Sequence, residues 1–232
     1  MRYTGIVFDK DGTLLDFNRT WLPIYRYAAQ ELATDDPALA ERLLTEHGFD
    51  AQRGKFLAGS LLAAGNNRQI AEEWSLLLGI PDEVDAIGQR LHEIFHQRGA
   101  IEATPVANLA ATLTRLKTAG LKLGVATADS HQGILDTLQS FDVLHEFDFL
   151  AGYDSGHGVK PDADMVLAFC EQTGLRSEAV VVVGDNRHDI EMGRNAGAGL
   201  CVGVLTGTSR RAELEPIADV VLDDIGALPG LL

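Results

Sequence analysis

Two aspartates, Asp9 and Asp11, stand two residues apart where an apolar run meets a glycine, in the stretch IVFDKDGTLLD of residues 6–16. The segment GIVF is typical of a buried strand and DKDGT of the loop after it, because strand interiors are poor in Asp and Gly. Side chains two apart at a strand end lie on the same side, so the two carboxylates are expected to be neighbours. Paired carboxylates repel each other, more strongly when buried. They therefore require a cation, or a proton on one of them.

The elements that must position these aspartates follow an α/β pattern. From about Ile101 onward, helical segments alternate with short apolar strands such as KLGVAT, AVVVVGD and LCVGVLTG. Strands that alternate with helices of this size predict a parallel sheet with right-handed crossovers, and GIVF adds its first strand. We therefore predict a doubly wound, Rossmann-like α/β core formed by residues 1–16 and 101–232.

Residues 17–100 carry a different pattern, in which apolar side chains recur at three- and four-residue intervals. Gly79, Pro81 and Gly99 interrupt this pattern and are expected to separate or end helices. We predict an all-α domain here, inserted into the core after its first strand.

In a doubly wound sheet the ligand binds beyond the carboxyl ends of the strands, so polar residues there are the candidates for chemistry. Besides the two aspartates, these candidates are Thr127, Lys160, Asp185 and Asp189. Four separate segments thus contribute polar groups to one edge of the sheet, which a single Asp-Gly turn does not explain.

Composition excludes several classes of function. The formal net charge of −15 argues against a nucleic-acid partner, because phosphate backbones select clustered Lys and Arg. A small phosphorylated ligand is compatible with it, since charges act over a Debye length of about 8 Å. Cys170 and Cys201 stand far apart in apolar contexts and are expected to be buried thiols in a reducing compartment. Without a signal pattern or an apolar run of roughly 18 residues, we expect a soluble cytoplasmic protein with no membrane partner.

Taken together, these motifs resemble the phosphatases of the haloacid dehalogenase superfamily. FDKDGTL, Thr127 in VATADS, Lys160 in GVKPDAD, and GDNRHD match the four motifs of that superfamily in order and spacing. The helical insert resembles the cap of the phosphoglycolate-phosphatase-like branch. The resemblance implies hydrolysis of a small phosphorylated metabolite, such as phosphoglycolate or a sugar phosphate, with Mg²⁺ as cofactor, by a monomer or homodimer.

The resemblance also implies a role for each acidic residue. Asp9 attacks phosphorus and forms an aspartyl-phosphate, while Asp11 protonates the leaving oxygen and later deprotonates water. The carboxylates of Asp9 and Asp185 and the main-chain carbonyl of Asp11 would bind Mg²⁺. Asp189 would lie outside the ligand set and orient water or Lys160.

Thr127, Lys160 and the main-chain amides of Lys10 and Ala128 would hold the phosphate oxygens, by the same resemblance. Two positions depart from the usual pattern of the family. Lys10 replaces a residue that is commonly apolar, and we expect its side chain to point away from the substrate and pair with a surface carboxylate. Asp129 stands where the family often has another small polar residue, which bears on the substrate rather than on the reaction.

Within the insert, the segment FDAQRGKFLAGSLLAAGNN is rich in Gly and carries Arg53, Lys55 and Ser60. The corresponding region of the resembling branch contacts the substrate beyond its phosphate, which makes Arg53 and Lys55 candidate substrate-binding residues. The alternative is a solvated loop with ordinary surface cations. A cation at this place suits a substrate with a second negative group, such as a carboxylate.

Three other functions stay open. A phosphomutase of the same superfamily uses the same four motifs and differs in how long its cap excludes water. A zinc metallopeptidase is suggested by HEIFH, which matches HExxH with His92, Glu93 and His96, although no third ligand is evident and we interpret the histidines as the polar flank of a helix. A non-catalytic binding module is the third, although none of the motif residues is missing.

Overall fold

The computed structural model describes residues 2–34 and 36–232, and the chain divides into two compact units. The larger unit comprises the residues up to Phe17 together with Thr104–Leu232, and the smaller unit is Asn18–Ala103. None of the helices in the described ranges combines the length and the apolar character that a bilayer span requires.

Strands and helices alternate along the larger unit and helices dominate the smaller one. The strands are β1 (Gly5–Phe8), β2 (Phe49–Asp50), β3 (Lys55–Phe56), β4 (Lys122–Ala126), β5 (Phe149–Ala151), β6 (Val180–Gly184), β7 (Leu200–Val204) and β8 (Val220–Leu222). The α-helices are α1 (Phe17–Leu32), α2 (Pro37–Thr45), α3 (Leu61–Ala64), α4 (Asn67–Leu78), α5 (Val84–Glu102), α6 (Leu109–Thr118), α7 (His131–Ser140), α8 (Asp164–Thr173), α9 (Arg187–Asn195), α10 (Arg211–Leu214) and α11 (Leu228–Leu231).

Six parallel strands form the sheet of the larger unit, in the order β5–β4–β1–β6–β7–β8. The doubly wound α/β prediction is thereby confirmed, with the amino-terminal strand at the centre. Every side chain of β6 is buried, as expected for an all-apolar strand covered on both faces. Phe8 of β1 is level with Val125 of β4 and with Val183 of β6, so these three strands end at the same edge.

Apolar side chains cover both faces of this sheet. On one face, Ile6 and Phe8 of β1 belong to a buried cluster that includes Leu113 of α6. On the other face, Val7 belongs to a second cluster with Phe169 of α8. This alternation follows from the two-residue period of a strand, and it fixes β1 between two packed layers. The residue that follows β1 therefore starts from a rigid position.

In the smaller unit the predicted helices are present, but two expectations are wrong. Residues 49–56 form an antiparallel hairpin of β2 and β3, whereas we predicted an all-α domain. Asp50 closes its turn, because Oδ1 accepts the main-chain amides of Gln52 at 3.0 Å and Arg53 at 3.1 Å. Helix α5 also continues through Gly99 instead of ending there. A helical glycine costs only about 1 kcal/mol, which the rest of a long helix outweighs.

Candidate active site

The candidate site lies at the carboxyl edge of the sheet, where three strands end level with one another. Asp9 follows β1 directly, and its amide donates a hydrogen bond to the carbonyl of Val183 at 2.8 Å. Thr127 follows β4, and its amide donates to the carbonyl of Ala151 at 3.0 Å. Asp185 follows the last residue of β6. The backbone ladder therefore sets where these three side chains begin.

Lys160 supplies a buried cation at this edge. Its Nζ lies 2.5 Å from Asp9 Oδ1 and 2.6 Å from Asp189 Oδ1, and its side chain is 6% exposed. Asp189 is fully buried, and its Oδ2 accepts the amide of Asn186 at 3.1 Å at the start of α9. One aspartate of the GDNRHD segment thus caps a helix with one oxygen and holds Lys160 against Asp9 with the other.

Asp9, Asp185 and Asp189 form a compact acidic cluster in which carboxylate oxygens lie within 4.8 Å of one another. All three side chains are buried. Oδ2 of Asp9 is buried and has no hydrogen-bond partner among the described residues. One lysine facing three carboxylates leaves two negative charges uncompensated. Burial makes this excess costly, so the cluster requires either protons or a further cation.

The pKa values of the cluster express this excess of negative charge. Burial raises the pKa of Asp9 to about 7; the Lys160 ammonium opposes the rise and the Asp189 carboxylate adds to it. Burial also raises the pKa of Asp185 well above its usual range, with further contributions from Asp189 and Asp9. Burial lowers the pKa of Lys160, but Asp189 and Asp9 outweigh it, so this pKa lies above its ordinary value. A bound divalent cation displaces protons from such carboxylates.

The donor set of this cluster fits a hard divalent cation. Carboxylate oxygens, without His or Cys, are the ligands that Mg²⁺ prefers in proteins. Asp9 Oδ2 supplies an oxygen with no other partner in the described structure, and Asp185 belongs to the same cluster but forms no ion pair with Lys160. Of the three expected ligands, Asp9 and Asp185 are therefore adjacent, and Asp11 is two residues from Asp9 in the same loop.

The Lys10 side chain overturns an expectation. It does not reach the surface: it is 3% exposed, and its Nζ lies 2.8 Å from Asp11 Oδ2 and 3.0 Å from Asp129 Oδ2. A surface carboxylate partner was predicted, but both partners belong to loops at the carboxyl edge of the sheet. Burial lowers the pKa of Lys10, yet Asp11 and Asp129 raise it by more, so it lies above its ordinary value. Two carboxylates thus keep the buried lysine charged.

Thr127 and Ala128 occupy the loop between β4 and α7. Thr127 is buried, and its hydroxyl oxygen accepts the amide of Asp129 at 3.2 Å. Asp129 Oδ1 accepts the amide of Ser130 at 2.7 Å, and Ser130 in turn caps α7 by accepting the amide of Gly133 at 3.0 Å. Ala128 is exposed. Hydrogen bonds of the residues on either side of Ala128 therefore fix the loop, while Ala128 itself stays exposed.

The loop after β7 contributes to the site and was not among the sequence candidates. The amide of Thr208 donates to Asp185 Oδ2 at 3.0 Å, and the hydroxyl of Thr206 donates to the carbonyl of Gly12 at 2.6 Å. A Cβ on Gly207 would lie 1.8 Å from Asp185 Oδ2, and one on Gly12, at φ +93°, would lie 2.7 Å from Asp185 Cγ. The sequence Thr-Gly-Thr after β7 was the available signal for this loop. A main-chain donor such as the Thr208 amide cannot be recognised from the residue type.

The candidate cations of the smaller unit lie on its hairpin. Arg53 is in the turn, with its side chain 72% exposed and Nε 3.6 Å from Asp50 Oδ2. Lys55 is exposed and pairs in the ladder with Asp50. Ser60 is partly buried and precedes α3. Both cations are therefore accessible within this unit, as a substrate contact requires.

The HExxH segment lies on α5 with His92 and His96 both exposed and their ring centroids 6.5 Å apart. Within the described ranges, the one group of three or more His, Cys, Asp or Glu side chains close enough to share a metal is the aspartate cluster. A structural or catalytic zinc site needs at least three protein ligands. The described residues thus provide no zinc site at this helix.

Comparisons with known proteins give a consistent family. The model of haloacid dehalogenase-like hydrolases matches residues 6–202. The chain is 29% identical over 233 residues to the phosphoglycolate phosphatase of Vibrio cholerae, which covers 96% of this chain and 94% of that protein. It is 28% identical over 200 residues to the N-acetylmuramic acid 6-phosphate phosphatase of Pseudomonas aeruginosa, covering 85% of this chain and 80% of that protein.

Solved structures agree in fold. A predicted phosphoglycolate phosphatase from Haemophilus somnus 129PT has a TM-score of 0.78 at 20% identity, covering 100% of this chain and 98% of that one. A Thermotoga maritima protein provisionally named a β-phosphoglucomutase has a TM-score of 0.73 at 21% identity, covering 98% and 97%. At these identities the structures bear on the fold alone.

Proposed function

Because the chain belongs to the haloacid dehalogenase-like hydrolase family, we propose that it is a Mg²⁺-dependent phosphatase that hydrolyses a small phosphate monoester through an aspartyl-phosphate. The observation that carries this proposal is the buried cluster of Asp9, Asp185 and Asp189 around Lys160, where Asp9 keeps one unpartnered oxygen. Two curated relatives that align over most of the chain are named as phosphatases, which supports the same reaction.

Asp9 and Asp11 divide the reaction into two steps. In the first, a carboxylate oxygen of Asp9 forms a bond to phosphorus while the bond to the leaving oxygen breaks, and the Asp11 carboxylic acid gives its proton to that oxygen. In the second, the Asp11 carboxylate takes a proton from water as the water oxygen attacks phosphorus. The aspartyl-phosphate bond then breaks, which releases phosphate and restores Asp9.

The remaining groups stabilise the negative charge of the phosphate and keep the reacting residues in position. Bound Mg²⁺, held by Asp9, Asp185 and the Asp11 carbonyl, would offset the negative charge that keeps an anionic nucleophile from an anionic ester. The Lys160 ammonium and the Thr127 hydroxyl stabilise the charge that spreads over the phosphate oxygens, and the amides of Lys10 and Ala128 do the same from the main chain. In this proposal the Asn18–Ala103 unit is the cap, and Asp189 keeps Lys160 in place.

The substrate proposed is a small metabolite that carries a carboxylate besides its phosphate. Phosphoglycolate and N-acetylmuramic acid 6-phosphate, the compounds named for the two curated relatives, differ in size but share that second negative group. The exposed Arg53 and Lys55 on the hairpin supply cations that suit it. The cytoplasmic location and the monomeric or homodimeric state expected from the sequence stay predictions.

A phosphate-release screen tests the proposed function. Purified protein is incubated with phosphoglycolate, N-acetylmuramic acid 6-phosphate, several sugar phosphates and 4-nitrophenyl phosphate, each with Mg²⁺ and with EDTA. We expect phosphate release with Mg²⁺, fastest for a carboxylate-bearing ester. An isomeric sugar phosphate in place of free phosphate identifies a phosphomutase instead. No release from any ester contradicts the proposal.

Substitution of both hairpin cations, Arg53→Ala with Lys55→Ala, is expected to lower kcat/KM about tenfold to a hundredfold for a carboxylate-bearing ester. A charge-assisted contact is worth about 1.5 to 3 kcal/mol, and 1.4 kcal/mol is a factor of ten. An ester with no charged group besides its phosphate, such as 4-nitrophenyl phosphate, should lose less than threefold. Arg42→Ala with Arg68→Ala is the matched control, because it removes two exposed cations from helices of the same unit. Equal losses for the two esters would contradict a role in carboxylate recognition.

Gly207→Ala is expected to lower kcat/KM about a hundredfold and to raise the Mg²⁺ concentration needed for half-maximal activity. The added Cβ would lie 1.8 Å from Asp185 Oδ2, so the carboxylate must move. A misplacement of about 1 Å costs on the order of a hundredfold in rate. Gly99→Ala is the control, because a Cβ there meets nothing within 4 Å. Unchanged Mg²⁺ dependence in the Gly207 variant would show that the loop does not set the position of Asp185.

A further inference from the structure

The buried lysine of the first motif joins two loops that are far apart in the sequence. Lys10 Nζ bridges Asp11 Oδ2, in the loop after β1, and Asp129 Oδ2, in the loop after β4, at 2.8 and 3.0 Å. Its side chain is 3% exposed, whereas Asp11 and Asp129 are 17% and 33% exposed. The lysine side chain is therefore less accessible than either of the two carboxylates that it bridges.

Burying a lysine is costly, and this one provides no apolar packing that a methionine would not. An ammonium transferred from water loses favourable hydration, which is recovered only where its partners are well placed. Lys10 has two such partners within 3.0 Å. The two ion pairs therefore offset the cost of burying the ammonium, and they fix the positions of both carboxylates.

Each carboxylate that Lys10 binds either takes part in the proposed reaction or is hydrogen-bonded to a residue that does. At one end is Asp11, which gives and takes the proton. At the other end Asp129 donates its amide to the Thr127 hydroxyl oxygen at 3.2 Å and accepts the Ser130 amide at 2.7 Å. The position of Lys10 thus depends on the same loop that carries Thr127, and Asp11 is held relative to that loop.

We propose that Lys10 is a positioning residue: it holds Asp11 Oδ2 so that the carboxyl group delivers its proton to the leaving oxygen, with Asp129 as the anchor of the bridge. This rests on the proposed phosphatase function. With Oδ2 bound by Lys10, the transferred proton is carried on Oδ1. It passes to the leaving oxygen as the phosphorus–oxygen bond breaks and the bond from Asp9 forms. Lys10 itself contacts neither the phosphate nor the leaving group through its side chain.

This role makes a specific prediction about leaving groups. The 4-nitrophenolate anion leaves without full protonation, whereas the alkoxide of phosphoglycolate requires the proton from Asp11. Loss of Lys10 should therefore harm the alkyl ester much more than the aryl ester. A side chain that only stabilised the fold would lower both values of kcat/KM by the same factor.

The experiment compares kcat/KM for phosphoglycolate and 4-nitrophenyl phosphate in the wild type and in Lys10→Met. We expect the ratio of alkyl to aryl kcat/KM to fall at least tenfold in Lys10→Met and to stay within threefold in Lys10→Arg, which keeps the cation. The ratio does not depend on the fraction of folded enzyme, because both substrates meet the same preparation. Lys122→Met is the matched control, since Lys122 is 50% exposed and pairs with Asp148.

Where Lys10→Met does not fold, the double variant Lys10→Met with Asp129→Asn removes one uncompensated carboxylate and is measured in the same way. A ratio within twofold of the wild type in the folded variant overturns the proposal. A crystal structure of that variant gives a readout that needs no activity: we expect the Asp11 carboxylate to move by more than about 1 Å, and an unmoved Asp11 overturns the proposal. If the wild type releases no phosphate, the proposed function fails, while this structure still decides whether Lys10 sets the position of Asp11.

Discussion

Asp9→Asn is expected to reduce kcat by at least about ten thousandfold while leaving the fold intact. An amide fills the same space as the carboxylate but lacks the anionic oxygen that attacks phosphorus, and loss of a covalent nucleophile has effects of this order. Because Asp9 is one of three buried carboxylates facing one lysine, its neutral replacement also removes repulsion. The unfolding temperature of the variant without metal should therefore be equal to or above that of the wild type.

Phosphate release, circular dichroism and mass spectrometry of the quenched enzyme test this prediction together. The wild type should show a mass increase of one phosphoryl group during turnover, and Asp9→Asn should not. Asp85→Asn is the matched control, because its side chain is 91% exposed and the charge change is the same. Activity of Asp9→Asn within tenfold of the wild type would end the assignment of Asp9 as nucleophile.

Most of the fold could be predicted from local patterns in the sequence. The alternation of helices and apolar strands predicted the parallel sheet, and a wholly apolar segment predicted the buried strand β6. The strand ends then located Asp9, Thr127 and Asp185 at one edge, because parallel strands present their carboxyl ends together. These inferences use short-range periodicity and one topological rule, and neither depends on side-chain detail.

The features that the sequence did not reveal depend on contacts between distant segments. Lys10 is buried because Asp129, 119 positions later, faces it across the edge of the sheet. Gly207 is required by the space that Asp185, 22 positions earlier, occupies. A lysine between two aspartates is also a common pattern on protein surfaces. The burial of Lys10 therefore becomes evident only in the tertiary structure.

Metal removal is expected to lower activity to below about 1% of the Mg²⁺-loaded value, and added Mg²⁺ should restore it. With three carboxylates around one lysine, the site without a divalent cation either binds protons or carries excess negative charge, and both states oppose attack on an anionic ester. Zn²⁺ should not replace Mg²⁺, since the cluster offers neither His nor Cys. The double variant His92→Ala with His96→Ala should respond to EDTA and Mg²⁺ as the wild type does.

Thermal unfolding gives a measurement of the same site that needs no substrate. Mg²⁺ at about a hundred times its dissociation constant stabilises the folded state by about 2.7 kcal/mol, which corresponds to an unfolding temperature higher by about 5 to 11 °C for a chain of this size. Asp185→Asn should lose most of that rise, because it removes a carboxylate ligand while the Thr208 amide can still donate to the side-chain oxygen. A full rise in Asp185→Asn would place the bound cation elsewhere in the molecule. Activity that is retained without Mg²⁺ and that Zn²⁺ stimulates only while His92 and His96 are present would instead favour a zinc peptidase with the HExxH helix as its site.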